Sequence, residues 1–134
     1  MPTFDDTTTS SASVEEVWKL LYDPVRFPEW WEGMGTVEPE RDGFTMYPQG
    51  YPDFPMPQTM RTDGKRVTIS CLVSHLLFEW RLEPTTGDGT TIGVHVEIPD
   101  AEAHRLDTQR GLVSASLRSL AALAAADDAP PTPG

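Results

Sequence analysis

The chain has 134 residues, a length that suits one domain and allows a single substantial core. Its formal net charge of −11 argues against a nucleic-acid partner and against docking on an anionic membrane surface. The single cysteine, Cys71, excludes an intrachain disulfide. No stretch has the composition of a signal peptide or the roughly 18 apolar residues of a membrane span, so we expect a cytoplasmic protein.

A threonine-rich segment, residues 2–10, predicts a polar first strand. The clearest helix signal follows, because Ser13 and Glu16 have the spacing of a capping box and apolar residues then recur at helical intervals. Asp23-Pro24 ends this helix, since a residue before proline avoids helical geometry. The same pair can cap and start a second short helix.

The pattern of residues 36–98 is typical of strands joined by short turns, which predicts an antiparallel meander with one apolar face. The predicted strands cover residues 36–39, 44–47, 58–62, 66–73, 76–82 and 91–98. Residues 47–57 contain four prolines, which remove ladder donors and argue against a central strand. This segment is predicted to be an extended connection at the rim of the sheet, a lid over a cavity mouth, or an interface.

A long helix is predicted over residues 101–126, and at 1.5 Å per residue it would be long enough to cross and cover the whole sheet. Its apolar stripe consists of Ala103, Leu106, Val113, Leu117, Leu120 and Ala124. Residues 127–134 have no core residue and are predicted to be a disordered tail. We therefore expect a single domain over residues 1–126.

Residues 11–30 resemble the opening signature of the SRPBCC superfamily, which includes START, Bet v 1 and polyketide cyclase/dehydrase proteins. The matching positions are Ser13, Val17-Trp18, Asp23-Pro24 and Pro28-Glu29-Trp30, and the alternating residues 76–84 and the long last helix are similar too. The resemblance implies an α+β helix-grip fold, in which a curved antiparallel β-sheet wraps around a long C-terminal helix and two short helices follow the first strand. It also implies a cavity between sheet and helix for a hydrophobic or aromatic small molecule, and it assigns no reaction.

Arg110 is the most informative single residue, because it lies within about 60° of Leu106 and Val113 on a helical wheel, inside the apolar stripe. An unpaired guanidinium there would be costly, so it needs a carboxylate, carbonyls, water or an anionic ligand. We consider it a candidate anchor for a ligand and a weak catalytic candidate. The alternative is a stem that packs and a head that reaches solvent. Gln109, on the flank of the stripe, is a weaker candidate.

The three histidines show no metal-ligand spacing, and we expect neither a metal nor a cofactor. His75 lies where a strand begins and is a weak candidate for a general base at the cavity mouth, although a turn or surface position fits it as well. His95 and His104 are predicted to point outward. Cys71 shares a face with apolar residues, which favours a buried and inert thiol.

The resemblance implies a ligand-binding set of Trp30, Met46, Met60, Phe78, Trp80, Arg110, Val113 and Leu117, any of which could instead be plain core. Three functions remain open. A carrier or sensor for a hydrophobic or aromatic molecule needs an apolar cavity with few polar groups. A polyketide cyclase, dehydratase or aromatase needs several converging polar side chains and a displaced pKa. An interaction module would have a filled cavity and an exposed apolar patch, and an exposed sheet edge would allow a homodimer.

Overall fold

A computed structural model describes residues 1–128, and its elements follow the predicted order. They are β1 (Thr3–Ser10), α1 (Val14–Leu21), a first 3₁₀ helix (Pro24–Glu29), β2 (Met34–Glu40), β3 (Gly43–Pro48), β4 (Met56–Asp63), β5 (Arg66–Cys71), β6 (Leu77–Pro84), β7 (Thr90–Glu97), a second 3₁₀ helix (Asp100–Arg105) and α2 (Leu106–Asp128). Residues 129–134, most of the predicted tail, lie outside the described part of the chain, whereas residues 127 and 128 extend α2.

The seven strands form one curved antiparallel sheet in the order β1-β7-β6-β5-β4-β3-β2. Strands β2 to β7 are a meander in chain order, and β1 joins at the end by pairing with β7. The register places Phe4, Val96, Phe78 and Ile69 in one row across four strands. All four side chains are buried, which is what the alternation of apolar and polar residues predicts for a sheet covered on one face.

The two helical segments after β1 begin as the sequence indicates. The Ser13 hydroxyl accepts a hydrogen bond from the Glu16 N–H at 3.3 Å, and the Asp23 carboxylate accepts one from the Val25 N–H at 3.1 Å. These caps satisfy backbone donors that the first turn of a helix leaves free. The second segment is a 3₁₀ helix, and it delivers a cluster of aromatic residues to the sheet.

The long last helix differs from its prediction at the start. Residues Asp100–Arg105 form a 3₁₀ helix, and the α-helix begins only at Leu106. From there α2 packs its apolar stripe into the core through Val113, Leu117, Leu120 and Ala124. A sheet that wraps around a long C-terminal helix is the helix-grip arrangement. Within the described residues, no helix is both long enough and apolar enough to cross a membrane.

The proline-rich segment is partly strand and partly turn. Its first residues end β3, and Met56 and Pro57 begin β4, where Met56 pairs with Met46. Between them, the Tyr51 N–H donates to the Pro48 carbonyl and the Phe54 N–H donates to the Tyr51 carbonyl. Tyr51 and Phe54 are 67% and 55% exposed, so their rings face solvent rather than closing over the interior.

Candidate functional site

A cavity of about 460 Å³ lies between the sheet and the first half of α2. Its apolar wall consists of Trp31, Met34, Phe44, Met46, Met56, Ile69, Leu76, Phe78 and Leu112. The polar members of its lining are Glu32, Gln58, Cys71, Ser74, His104, Arg105, Thr108 and Gln109. Pockets of this size hold drug-sized molecules in other proteins.

The cavity occupies one end of the sheet because the other end is filled. On β6, Phe78 lines the cavity, whereas Trp80, two residues on and on the same face, is fully buried in the core. On β5, Ile69 and Cys71 line it and Val67 lies in the core. The end opposite the cavity is closed in part by α1, which packs against β6 and α2.

The aromatic residues form two layers behind the cavity surface. Trp31 lines the cavity and packs edge-on against both Phe78 and Trp80, at 5.2 and 5.1 Å between ring centroids. Trp30 lies behind it, where its indole N–H donates to the Leu20 carbonyl at 3.0 Å and its ring packs edge-on against Trp80 at 5.2 Å. The wall that a ligand would touch is therefore supported by a second layer of rings that fixes its shape.

The turn between β5 and β6 places a small polar group in the lining. The Cys71 N–H donates to the Leu76 carbonyl and the His75 N–H donates to the Cys71 carbonyl, each at 2.9 Å. His75 closes this turn with φ of 61°, in the left-handed region. The tight turn directs the buried Ser74 toward the cavity and leaves His75 exposed, outside the lining. The hypothesis that His75 reaches the cavity mouth is therefore wrong for this structure.

The helix α2 contributes to the cavity only through its first half. One continuous ridge beside the cavity consists of Arg105, the last residue of the second 3₁₀ helix, followed by Thr108, Gln109 and Leu112 of α2, at positions i, i+3, i+4 and i+7. Further along α2, Ser116 is fully buried and links the helix to the segment that follows the first 3₁₀ helix. Its hydroxyl accepts from the Glu32 N–H at 2.9 Å and donates to the Leu112 carbonyl at 2.7 Å.

Arg110 does not face the cavity. Its side chain is exposed, and the guanidinium carbon lies 5.6 Å from the centroid of the Phe4 ring on β1. The stripe that contains Arg110 points toward β1, whereas the cavity lies along the Thr108–Leu112 flank of the helix. The packed stem and solvent-exposed head are the alternative that the sequence allowed, and a guanidinium over an aromatic face is favourable.

Of the eight predicted ligand-binding residues, only Met46 and Phe78 line the cavity. Trp30, Trp80, Val113 and Leu117 are buried in the core, and Met60 packs against it. Gln109, the weaker candidate on the helix, does line the cavity. Arg105 also lines it, as does His104, which was predicted to point outward, because the 3₁₀ turn before Leu106 changes the rotation per residue.

Charge is distributed unevenly along the cavity opening. Exposed lining residues mark this opening, with His104 and Thr108 toward the start of α2 and Glu32 and Gly33 at the other end. Arg105 forms an ion pair with Glu102 at 3.2 Å, and His104 lies 3.9 Å from the same carboxylate. One end of the cavity therefore carries the guanidinium of Arg105, paired with Glu102 and with His104 beside it, and the other end carries the carboxylate of Glu32. We call these the basic end and the acidic end of the cavity.

Three side chains with raised pKa values lie outside the cavity. The hydrogen bond that Arg26 donates to Glu29 raises the pKa of Arg26, and loss of solvent followed by the charge of Glu38 raises the pKa of Tyr47. Partial burial works to lower the pKa of His95, but hydrogen bonds and charges from Asp5 and Glu97 outweigh it and raise the pKa overall. Within residues 1–128, no group of His, Cys, Asp and Glu side chains is arranged to hold a metal ion.

This geometry, a curved sheet around a long helix with a cavity between them, is that of the helix-grip fold, and a comparison of the sequence with family models agrees with it. The family model described as "Polyketide cyclase / dehydrase and lipid transport" matches residues 1–126. The chain belongs to this family. Among curated proteins, none matches the sequence significantly.

Solved structures share the fold at low sequence identity. The protein XoxI from Bacillus cereus has 16% identity and a TM-score of 0.74, with 92% of this chain and 95% of that chain covered. The Zhui aromatase/cyclase from Streptomyces sp. R1128 has 17% identity and a TM-score of 0.73, with 92% and 93% covered. The di-domain aromatase/cyclase BexL has 14% identity and a TM-score of 0.75 over 91% of this chain and 46% of that one. These likenesses concern the fold.

Proposed function

We propose that this protein binds a small hydrophobic or aromatic molecule in the cavity between the sheet and α2. The observation that carries the proposal is a cavity of about 460 Å³ with an aromatic wall of Trp31, Phe44 and Phe78. Flat aromatic side chains and methionines suit a flat apolar ligand, and burial of such a ligand is favourable at roughly 25 cal/mol per Å² of apolar area. The open volume counts against an interaction module with a filled cavity.

The test uses N-phenyl-1-naphthylamine, a neutral aromatic probe that fluoresces in apolar surroundings. We expect saturable binding to the wild-type protein. The variant Leu112→Trp adds a large side chain at the cavity ridge and should weaken binding at least about tenfold, which is about 1.4 kcal/mol. Leu123→Trp is the matched control, because Leu123 is a half-buried leucine of the same helix outside the cavity lining.

Two results would contradict the proposal. One is a wild-type protein that binds no probe. The other is equal weakening by both tryptophan variants, since that would place the probe elsewhere or reflect a general loss of packing. Melting temperatures of both variants, measured without probe, separate a loss of binding from a loss of folding.

A cyclase or dehydratase activity is the second candidate, and the polar part of the lining favours it. Gln58 and Ser74 are 8% and 7% exposed and lie among apolar cavity residues, a placement that a purely apolar carrier does not require. Polar side chains in a cavity that excludes water can orient a poly-β-ketone and polarise its carbonyl groups. One observation counts against this candidate: the side chains with raised pKa values, Arg26, Tyr47 and His95, all lie outside the cavity.

Mass spectrometry of a bound poly-β-ketone distinguishes the two candidates. A carrier releases the compound with unchanged mass and unchanged chromatographic retention. A cyclase that only forms the new C–C bond releases an isomer of the same mass with a different retention, and a dehydratase releases a product that has lost water. Gln58→Leu or Ser74→Ala should then slow product formation more than it weakens binding.

A further inference from the structure

We propose that the basic end of the cavity, formed by Arg105 and His104, is a binding site for an anionic group on the ligand. The inference rests on the proposed function and adds to it the chemical class of the ligand: an apolar or aromatic molecule with one negatively charged oxygen-bearing group. In this site, Arg105 binds the anion. The carboxylate of Glu102 pairs with the Arg105 guanidinium until the ligand displaces it.

The position of Arg105 supports this role. Arg105 lines the cavity and its side chain is 39% exposed, so the residue borders both solvent and ligand space. Within the described residues, it is the only lysine or arginine in the cavity lining. A guanidinium carries five N–H donors in a planar fork, and a planar fork matches a carboxylate or a similar anion in two parallel hydrogen bonds.

Its partner in this structure is replaceable. Glu102 lies three residues earlier in the second 3₁₀ helix, and its carboxylate is 3.2 Å from the Arg105 Nε. The two side chains are 39% and 29% exposed, and an ion pair that solvent still reaches contributes little to stability. An anion held inside the cavity, with its apolar part already bound to the aromatic wall, can therefore compete with Glu102 for the guanidinium. His104 lies 3.9 Å from the same carboxylate and adds an imidazole to the site.

The opposite end of the cavity disfavours an anion. The Glu32 N–H donates to the hydroxyl of Ser116, which lies 10 residues beyond Leu106, the first residue of α2 and the one after Arg105, or about 15 Å along the helix at 1.5 Å per residue. The Glu32 side chain continues away from Arg105, because its carboxylate accepts from the Ser119 hydroxyl at 3.5 Å. An anionic ligand is therefore attracted to one end and repelled from the other, which sets its direction in the cavity.

Two probes with the same aromatic skeleton test the site. N-phenyl-1-naphthylamine is neutral, and 8-anilino-1-naphthalenesulfonate carries one added anionic group. Fluorescence titration of the wild-type protein and the variant Arg105→Gln should show about tenfold weaker binding of the sulfonate probe to the variant, with binding of the neutral probe changed by less than about twofold. Arg118→Gln is the control, because Arg118 is exposed on α2 and lies outside the lining, and its substitution removes the same charge.

The variant Glu102→Gln gives the sharper result. If Glu102 only competes for the guanidinium, its removal should tighten binding of the sulfonate probe about two- to fivefold. If the pair merely stabilises the turn, both Glu102→Gln and Arg105→Gln should weaken both probes. Arg105→Lys keeps the charge without the planar fork and should recover part of the lost affinity.

The outcomes separate this inference from the proposed function. Equal effects of Arg105→Gln on both probes, or a sulfonate affinity equal to that of Arg118→Gln, would overturn the anion site alone, provided that the neutral probe still binds and Leu112→Trp still weakens it. A wild-type protein that binds neither probe would overturn the cavity and the anion site together.

Discussion

Trp30 and Trp31 are adjacent in the chain and have different structural roles. Trp31 presents its ring to the cavity, and Trp30 anchors the first 3₁₀ helix through its hydrogen bond to the Leu20 carbonyl. The Trp80 indole N–H, by contrast, is buried with no hydrogen-bond partner in residues 1–128. The ring of Trp80 packs edge-on against the rings of Trp30 and Trp31, at interplanar angles of 84° and 70°.

At His75 the backbone is in a conformation that few side chains adopt readily. Its φ of 61° is in the left-handed region, which glycine enters without a steric penalty. We predict that His75→Gly raises the free energy of unfolding by about 0.5 kcal/mol, after the larger entropy of the unfolded glycine chain is subtracted. His75→Val should lower it by about 1 kcal/mol, because a β-branched residue is disfavoured there.

Urea unfolding measures both changes, and probe binding supplies the functional control. Since His75 lies outside the cavity, both variants should bind N-phenyl-1-naphthylamine as the wild type does. A stabilised glycine variant with lost binding would show that His75 contacts the ligand after all.

His95 makes the stability of the β1–β7 edge depend on pH. It lies on the outer face of the sheet, 3.0 Å from Asp5 and 3.2 Å from Glu97, with Glu79 opposite it on β6. Because its folded pKa is raised above the unfolded value of about 6.5, protonated His95 stabilises the fold below pH 6.5. This contribution is lost as the pH rises through the folded pKa.

We therefore expect His95→Gln to destabilise the protein more at pH 5.5 than at pH 8.5. The expected difference is about 0.5 kcal/mol, since Asp5 is well exposed and solvent screens the pair. Unfolding curves of the wild type, His95→Gln and Asp5→Asn at both pH values test this. Asp5→Asn should remove part of the same pH dependence, and a larger effect of His95→Gln at pH 8.5 would contradict the assignment.

At the scale of elements, the hairpin of β2 and β3 requires a glycine at its turn. A Cβ added at Gly43 would collide with the backbone carbonyl oxygen of Gln58 on β4. The backbone of residue 43 fixes the position of the Cβ, and the atom that it meets is a backbone oxygen. A side-chain rotation therefore cannot relieve the collision. We predict that Gly43→Ala lowers the free energy of unfolding by about 2 to 3 kcal/mol.

Gly87→Ala is the matched control for this prediction. A Cβ at Gly87 meets only the Thr85 hydroxyl at 4.0 Å, so the change should stay within about 0.5 kcal/mol. Equal stability of the two variants in urea unfolding would mean that β3 and β4 pair less closely than described. Because Gln58 also lines the cavity, Gly43→Ala should weaken probe binding as well.

The order of the elements and the caps of the short helices could be predicted from the sequence, because they depend on local signals. Ser13, Asp23 and the alternation on β6 act over a few residues, and the structure confirms each one. The cavity face of α2 could not be predicted in this way. Periodicity identified the stripe that contains Arg110, but it does not say whether that stripe meets the cavity or β1.

The same limit explains why the sequence indicated Trp30, rather than Trp31, as a cavity-lining residue. Both are large aromatic residues just after a short helix, and only the packing of Trp30 under Trp80 decides which one faces the open space. The polar ridge of Arg105, Thr108 and Gln109 could not be predicted to line the cavity, for a different reason. Polar residues at helical spacing usually indicate a solvated face, and here that face borders a cavity.

On the scale of the whole molecule, the sheet and α2 enclose a core at one end and open space at the other. The closed end, filled by α1 and the second aromatic layer, stabilises the fold without a ligand. The open end leaves about 460 Å³ that a ligand can occupy. A ligand at 100 times its Kd adds about 2.7 kcal/mol to the stability of the folded state, so binding should also raise the Tm.

The most direct test of the cavity is an NMR titration of the five methionine methyl groups with N-phenyl-1-naphthylamine. Met34, Met46 and Met56 line the cavity, whereas Met1 and Met60 do not. Binding in the cavity should shift the first three signals together, in a saturable way, and leave the other two in place. Shifts confined to Met1 and Met60, or no shifts at saturating probe, would contradict the claim that this protein holds its ligand between the sheet and α2.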